Sequence, residues 1–248
     1  MIHSVSNKYL YLIVSFIFAL LSLSIPVAYL SDAIGANPLY AQFRATPYTE
    51  LFIVFFSPFT GALSSYLANH CNHSKPRHIS RLILCLLITL FYTSIPFIKP
   101  LIRPLPQHTI GHQWFKGIAL QTTPSTCGPS SLATILKGYG TVDTEANIAK
   151  QAFSSSTGTE NWYLARYAHQ QGYQYRFLHE PELGKVPTPS IIGVKLGRIG
   201  HFITLLGHNG DTYTIADSLD GLHHLTTEEF KQRYVYNGFV LHIEKSAR

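Results

Sequence analysis

The run Gln121-Thr-Thr-Pro-Ser-Thr-Cys127-Gly128-Pro129-Ser-Ser-Leu132-Ala-Thr-Ile135-Leu136 carries more structural information than any other part of the chain. A turn-rich segment, Thr122–Thr126, leads into a cysteine that opens a helix, with Leu132, Ile135 and Leu136 at helical spacing and Gly138 and Gly140 as stop signals. A thiol at a helix start meets unpaired backbone N–H groups and the positive end of the helix dipole, and both favour the thiolate. Gln121 stands six residues earlier. With a turn between, its amide can fold back over Cys127 and donate to a developing oxyanion, an interaction worth roughly 3 kcal/mol in comparable sites.

Working outward, Thr144–Phe153 and Glu160–Gln171 read as two further helices. The pattern then changes to strands. Ser190–Leu196 and His201–Leu206 are apolar and partly β-branched, Gly207–Asp211 reads as a hairpin turn, and Thr212–Ala216 alternates as the returning strand. Thr226-Thr-Glu-Glu229 is a capping box that opens a helix to about Tyr234, and Phe239–Ile243 supplies a last strand. Helices first and an antiparallel sheet after them make an α+β arrangement.

Two more side chains complete a chemical set. His201 follows Gly200 at the head of its strand, where a rigid support carries the imidazole and the glycine leaves room for substrate backbone. No other histidine among the nine in residues 99–248 has a comparable position, and His223-His224 reads as a polar, solvent-facing turn. Asp217 ends the strand that pairs with the His201 strand, which favours it over neighbouring Asp220 as the group orienting the imidazole. Each residue has a bland reading: a buried inert thiol, a strand-capping imidazole, a turn-forming aspartate beside Ser218, a surface glutamine. Their co-occurrence points instead to nucleophilic thiol catalysis.

Composition divides the chain. Residues 1–98 hold five Lys/Arg and two Asp/Glu, whereas residues 99–248 hold fourteen and eleven. Three apolar runs in the first part, about 9–30, 51–67 and 82–98, are expected to span a bilayer, with Pro26, Pro58 and Pro96 kinking or ending them. Lys8 before the first run raises the alternative of a signal peptide, but the length of that run argues for a retained anchor. Residues 99–116 read as a linker and 117–248 as a catalytic-sized domain. Lys8 precedes the first run, and Lys75, Arg77 and Arg81 lie between the second and third. Positive-inside counting therefore puts the amino terminus and the 68–81 loop in the cytoplasm and residues 99–248 on the outer, periplasmic face of an inner membrane.

The formal charge of +6 splits evenly between the two parts, without a basic block or Arg-aromatic interleaving, so nucleic acid is not an expected partner. Cys127 is the lone cysteine of residues 99–248, which excludes a disulfide within that part. The His- and Cys-containing stretch 69–78 matches no zinc spacing, and its Lys75 and Arg77 fit a headgroup-facing loop better. No metal or organic cofactor is expected. GxxxxGK[ST] is absent, so the chain carries no phosphate loop for an ATPase of its own.

Residues 117–243 resemble the C39 family of cysteine peptidases, papain-like domains that cut leader peptides from bacteriocin and other exported precursors. The resemblance rests on Gln121…Cys127-Gly128-Pro129-Ser-Ser-Leu132 through Gly140, on Gly158-Thr159, on His201-Phe202 and on Asp217 sixteen residues later. It implies Cys127 as nucleophile, His201 as base, Asp217 as orienting acid and Gln121 as oxyanion donor. It also implies a precursor peptide or protein as substrate, with an export system and the lipid bilayer as partners. Thr126 and Ser218 stand where the family commonly has an acidic residue and a proline. A catalytically silent peptide-binding module of the same fold and a thiol acyltransferase are the rival readings.

Overall fold

The computed structural model describes residues 37–55, 78–106, 110–111 and 113–246, with residue 58 and scattered positions between 10 and 28. The spans expected over 9–30 and 51–67 fall largely outside the described residues, as do most of the 68–81 loop and Cys71. Contacts divide the chain into two units, Met1–Gly35 with Pro47–Ile95, and Ala36–Thr46 with Pro96–Arg248. α1 (Pro38–Ala45) belongs to the second unit, and α2 (His78–Ile102) runs from the first into the second.

The first unit is helical where described, and it exposes large apolar side chains such as Phe16, Leu20, Phe52, Leu87 and Phe91. Among the described residues, one helix, Ile83–Ile102, is long and apolar enough to cross a membrane. The expected run 82–98 lies within α2 and overlaps this span over 83–98. Of the three expected transmembrane helices, the described residues show this one candidate.

The second unit is a mixed α+β domain. After α2 come a small hairpin of β1 (Gln113–Phe115) and β2 (Ile118–Leu120), then α3 (Cys127–Gly138), α4 (Glu145–Gln151) and α5 (Asn161–Gln170). There follow β3 (Tyr173–His179), a 3-10 turn at Leu183–Lys185, β4 (Ser190–Leu196), β5 (Ile199–Asn209), β6 (Thr212–Asp217), β7 (Gly221–Thr226), α6 (Thr227–Arg233) and β8 (Val235–Lys245). Strands β3 to β8 form one antiparallel sheet in the order β3-β8-β4-β5-β6-β7. The last strand of the chain is thus inserted between two earlier ones.

Both faces of this sheet are covered, which explains its continuous apolar runs. Successive β4 residues divide between two cores. Ile191 packs with Leu241 and Ile243 among the side chains of α3 and α5, whereas Ile192 and Val194 pack with Ile203, Phe230 and Val240 on the α6 side. Trp162, Tyr163, Tyr167 and Tyr173 are buried in the first of these cores, and Tyr175 packs against it.

Several local readings hold in detail. The capping box is formed by Thr226 and Glu229, and Thr144 caps α4 by accepting from the Asn147 N–H at 3.0 Å. Other segments differ. Tyr173–His179 forms an edge strand against β8, and His223-His224 lies inside β7 rather than in a turn. Of the stretch read as linker, 99–102 complete α2 and 113–115 form β1. α1 packs on α5 and β3. The Gln42 side chain accepts from the Phe177 N–H of that edge strand at 3.2 Å, and the buried Arg44 guanidinium lies 4.6 Å from the Trp162 ring centroid.

Candidate active site

Cys127 is the first residue of α3. The residue before it, Thr126, turns its hydroxyl back to the Thr123 carbonyl at 3.0 Å, so no side chain caps the helix. The dipole end beside the sulfur therefore stays unshielded by a capping oxygen. Gly128 follows because α3 and α5 approach closely there: a Cβ at this position would come within 2.8 Å of Leu164 Cδ1.

The loop before the cysteine is held from a distance. Glu145, at the start of α4 and buried, accepts from the Thr122 N–H through Oε1 and from the Thr122 hydroxyl through Oε2, both at 2.9 Å. This clamp was not legible in the residues around Cys127, because its carboxylate comes from the next helix.

His201 is the third residue of β5 and Asp217 the last of β6. Thr204 opposes Ala216 across these strands. Asp217 therefore falls beside Ile203, whose side chain shares the His201 face. His201 Nε2 lies 2.8 Å from Asp217 Oδ1, with both residues buried. Nδ1 is then the nitrogen left for the thiol, and His201 and Cys127 line the same cleft.

The electrostatics of the pair run in opposite directions. Burial works against a charged His201 ring, but hydrogen bonds to Asp217 and Cys127 and the charges of both outweigh it and raise the pKa from 6.5 to about 9. For Asp217, burial pushes the carboxyl up. Bonds from His201, the Tyr234 hydroxyl and the Leu219 N–H more than offset this and hold it below the usual range. The Tyr234 hydroxyl donates to Asp217 Oδ2 at 2.6 Å, and the Leu219 N–H to Oδ1 at 3.0 Å. Asp220, the competing aspartate, is engaged by His223 and Arg233 instead. Tyr234 was missed by sequence reading, since only the sheet order brings the end of α6 against the end of β6.

Gln121 is strapped to the same corner. Its N–H donates to the Ser218 carbonyl at 2.8 Å, its Nε2 to the Thr123 carbonyl at 3.0 Å, and its Oε1 accepts from the Ser218 hydroxyl at 2.7 Å. Cys127 and His201 line one cleft of about 400 Å³, together with Gly128, Gly158, Gly193 and Gly200. Asp217 lies behind the imidazole, and Gln121 is not among the cleft-lining residues. Lys99 and Glu160, paired at 2.7 Å, stand on its rim. Among the described residues, no three His, Cys, Asp or Glu side chains gather as a metal site.

Known proteins share this domain. An uncharacterized protein of Methanothermobacter thermautotrophicus is 30% identical over 128 residues, which is 52% of this chain and 88% of the relative. A second, from Methanothermobacter marburgensis, is 27% identical over the same shares. Among solved structures, the peptidase domain of Streptococcus ComA, a bi-functional ABC transporter involved in a quorum sensing pathway, is similar at 19% identity and a TM-score of 0.47, covering 52% of this chain and 98% of that one. A double glycine motif protease from an AMS/PCAT transporter, in complex with the leader peptide, is similar at 23% identity and a TM-score of 0.46, covering 52% and 91%. The sequence profile of the peptidase C39 family matches residues 116–248, from the β1–β2 hairpin to the end, and so takes in the cysteine, the imidazole and the aspartate alike. The chain belongs to the peptidase C39 family.

Proposed function

We propose that this chain is an active cysteine peptidase in which Cys127 is the nucleophile, His201 the acid-base, Asp217 the group orienting His201, and Gln121 an oxyanion donor. The observation carrying the reading is the 2.8 Å His201–Asp217 pair beside Cys127, with imidazole and sulfur lining one cleft. The sulfur attacks the substrate carbonyl, and the negative charge that develops on its oxygen is met by the Gln121 amide and the Cys127 N–H. His201 then delivers its proton to the leaving amine as the C–N bond breaks, leaving a thioester. Water attacks the thioester, His201 takes the proton from that water, and the acid is released with the thiol restored. Cleft-lining glycines suit an extended peptide whose residues near the cut bond are small.

The substrate in this reading is an exported or membrane-associated precursor, and α2 is the anchor. Lys99, in the last turn of α2, lines the cleft. α1, from the segment between the first two expected spans, packs on α5 and β3. That packing supports α1 and residues 99–248 sharing the outer face, with an export system delivering the substrate there.

The test is labelling and turnover of the purified full chain. Iodoacetamide should alkylate Cys127 faster near neutral pH than it alkylates a free cysteine peptide, and Cys127→Ala should abolish cleavage of a Gly-Gly-terminated peptide aminocoumarin amide. Ordinary thiol reactivity without cleavage leaves a silent peptide-binding module and ends the proposal.

A further inference from the structure

We propose that Ser218 is a positioning residue that clamps the Gln121 amide with its N–H end toward the reaction. The inference rests on Gln121 as the oxyanion donor and adds a residue whose side chain touches no reacting atom.

The argument begins with an amide that has two chemically different ends. The Thr123 carbonyl is only an acceptor, so the group facing it at 3.0 Å is the Gln121 NH₂. The carbonyl end, Oε1, then faces the Ser218 hydroxyl at 2.7 Å, and that hydroxyl must donate. Neither assignment depends on choosing a flip, because the reverse orientation would set two acceptors against each other at Thr123. One Nε2 hydrogen is used on Thr123. The second is left for an oxyanion.

Main-chain bonding fixes the two residues to each other. The Gln121 N–H donates to the Ser218 carbonyl at 2.8 Å, so both ends of the contact belong to one short bridge between the pre-cysteine loop and the end of β6. Ser218 is buried at 2% exposure, which keeps water from competing for the amide oxygen. It also directly follows Asp217. A single backbone position thus supports the carboxylate on one side and the carboxamide on the other. This chain uses a side-chain donor to set the amide.

Orientation matters more than attraction here. A free glutamine amide turns about its last bond, and half of its orientations present oxygen to a developing negative charge. Donation from Ser218 into Oε1 removes those orientations and draws electron density away from Nε2–H, which strengthens it as a donor.

The experiment compares Ser218→Ala, Ser218→Thr, Gln121→Ala and the double variant Gln121→Ala/Ser218→Ala in the full chain, with a Gly-Gly-terminated peptide aminocoumarin amide as the probe. Removing a complete oxyanion donor lowers kcat by about 10²–10³-fold, so loosening one should lower it about tenfold with KM nearly unchanged. Ser218→Thr keeps the hydroxyl and should restore most of kcat. In the Gln121→Ala background, Ser218→Ala should cost nothing further, since its effect passes through that amide. Alkylation of Cys127 by iodoacetamide develops no oxyanion, and its rate should be the same in Ser218→Ala as in the parent. A merely structural role would slow alkylation as well, and that result overturns the proposal. So does an unchanged kcat in Ser218→Ala while Gln121→Ala is impaired, an outcome that leaves the peptidase reading standing. If Gln121→Ala itself keeps full kcat, the oxyanion role of Gln121 fails and the clamp fails with it.

Discussion

Tyr234 donates its hydroxyl hydrogen to Oδ2 of Asp217 at 2.6 Å, while His201 holds Oδ1 of the same carboxylate at 2.8 Å. The two bonds leave the buried carboxylate little rotational freedom, and through it the imidazole ring is held in one orientation. Burial and the Asp217 charge both raise the Tyr234 pKa, so the phenol remains a donor throughout the working range.

Tyr234→Phe should therefore weaken the fold and the site together. Hydrogen bonds to charged groups contribute about 1.5–3 kcal/mol, and Arg233, 3.9 Å from Oδ2, can replace part of that by moving closer. The expected loss is about 1–2 kcal/mol in thermal denaturation of the purified chain, with a lower kcat. An unchanged melting temperature together with unchanged kcat would show that Oδ2 needs no partner.

The pH dependence follows from the His201 ring. Its pKa is raised in the folded state, so its stabilising contribution is complete below 6.5 and is lost as pH rises through about 9. Asp217 behaves oppositely: its pKa is lowered from 3.8, so its contribution is present above that value and lost as pH falls through the folded value. The difference in melting temperature between the parent and His201→Gln should shrink steadily from pH 7 to pH 10. Peptide cleavage should fall over the same alkaline limb, because the leaving amine needs the imidazolium proton. A flat difference across that range would remove the charged pair from the argument.

Gly128→Ala sets two effects against each other. Alanine in a helix gains up to about 1 kcal/mol over glycine. The added Cβ, however, meets Leu164 Cδ1 at 2.8 Å, and Leu164 is completely buried among the core side chains. Overpacking of this kind costs about 1–3 kcal/mol, so the net change should be destabilising. Pairing it with Leu164→Val, which removes the reaching methyl, should cost less than the two single changes added together. Additivity in the double variant would mean that α3 and α5 adjust without strain.

Glu145→Ala should loosen the loop that carries Gln121. It strips two acceptors from Thr122 and leaves a backbone N–H without its partner, at a cost of about 1–3 kcal/mol. Glu145→Gln keeps an acceptor for that N–H and should lose less. Limited proteolysis within 121–126, compared across the three proteins, ranks the loosening directly. Equal protection in all three would assign the loop's order to its other contacts, those of Gln121 with Ser218 and of Thr123 with Thr126 among them.

What was readable before any coordinates is what short-range chemistry writes into neighbouring residues. The opening of α3 at Cys127, a helix beginning near Thr144, the Thr226–Glu229 box and the β4 limits at Ser190 and Leu196 all depend on bonds or periodicities spanning a few positions. The edge strand Tyr173–His179 was not among the expected elements, and it is its pairing with β8 that makes it part of the sheet. Cys127, His201, Asp217 and Gln121 were nameable from residue type and position. Their partners were not: Tyr234 for Asp217, Glu145 for Thr122 and Ser218 for Gln121 come from elements 17, 23 and 97 residues away.

The amino-acid order alone thus determined the kinds of element, their approximate limits and the chemical set, because helix and strand preferences act within a turn or a pair of residues. Tertiary structure decided which carboxylate faces the imidazole, which way the Gln121 amide is turned and where the last strand lies. A hydrogen bond between distant residues has no local signature. It exists only once β8 enters between β3 and β4 and the two cores close around the sheet.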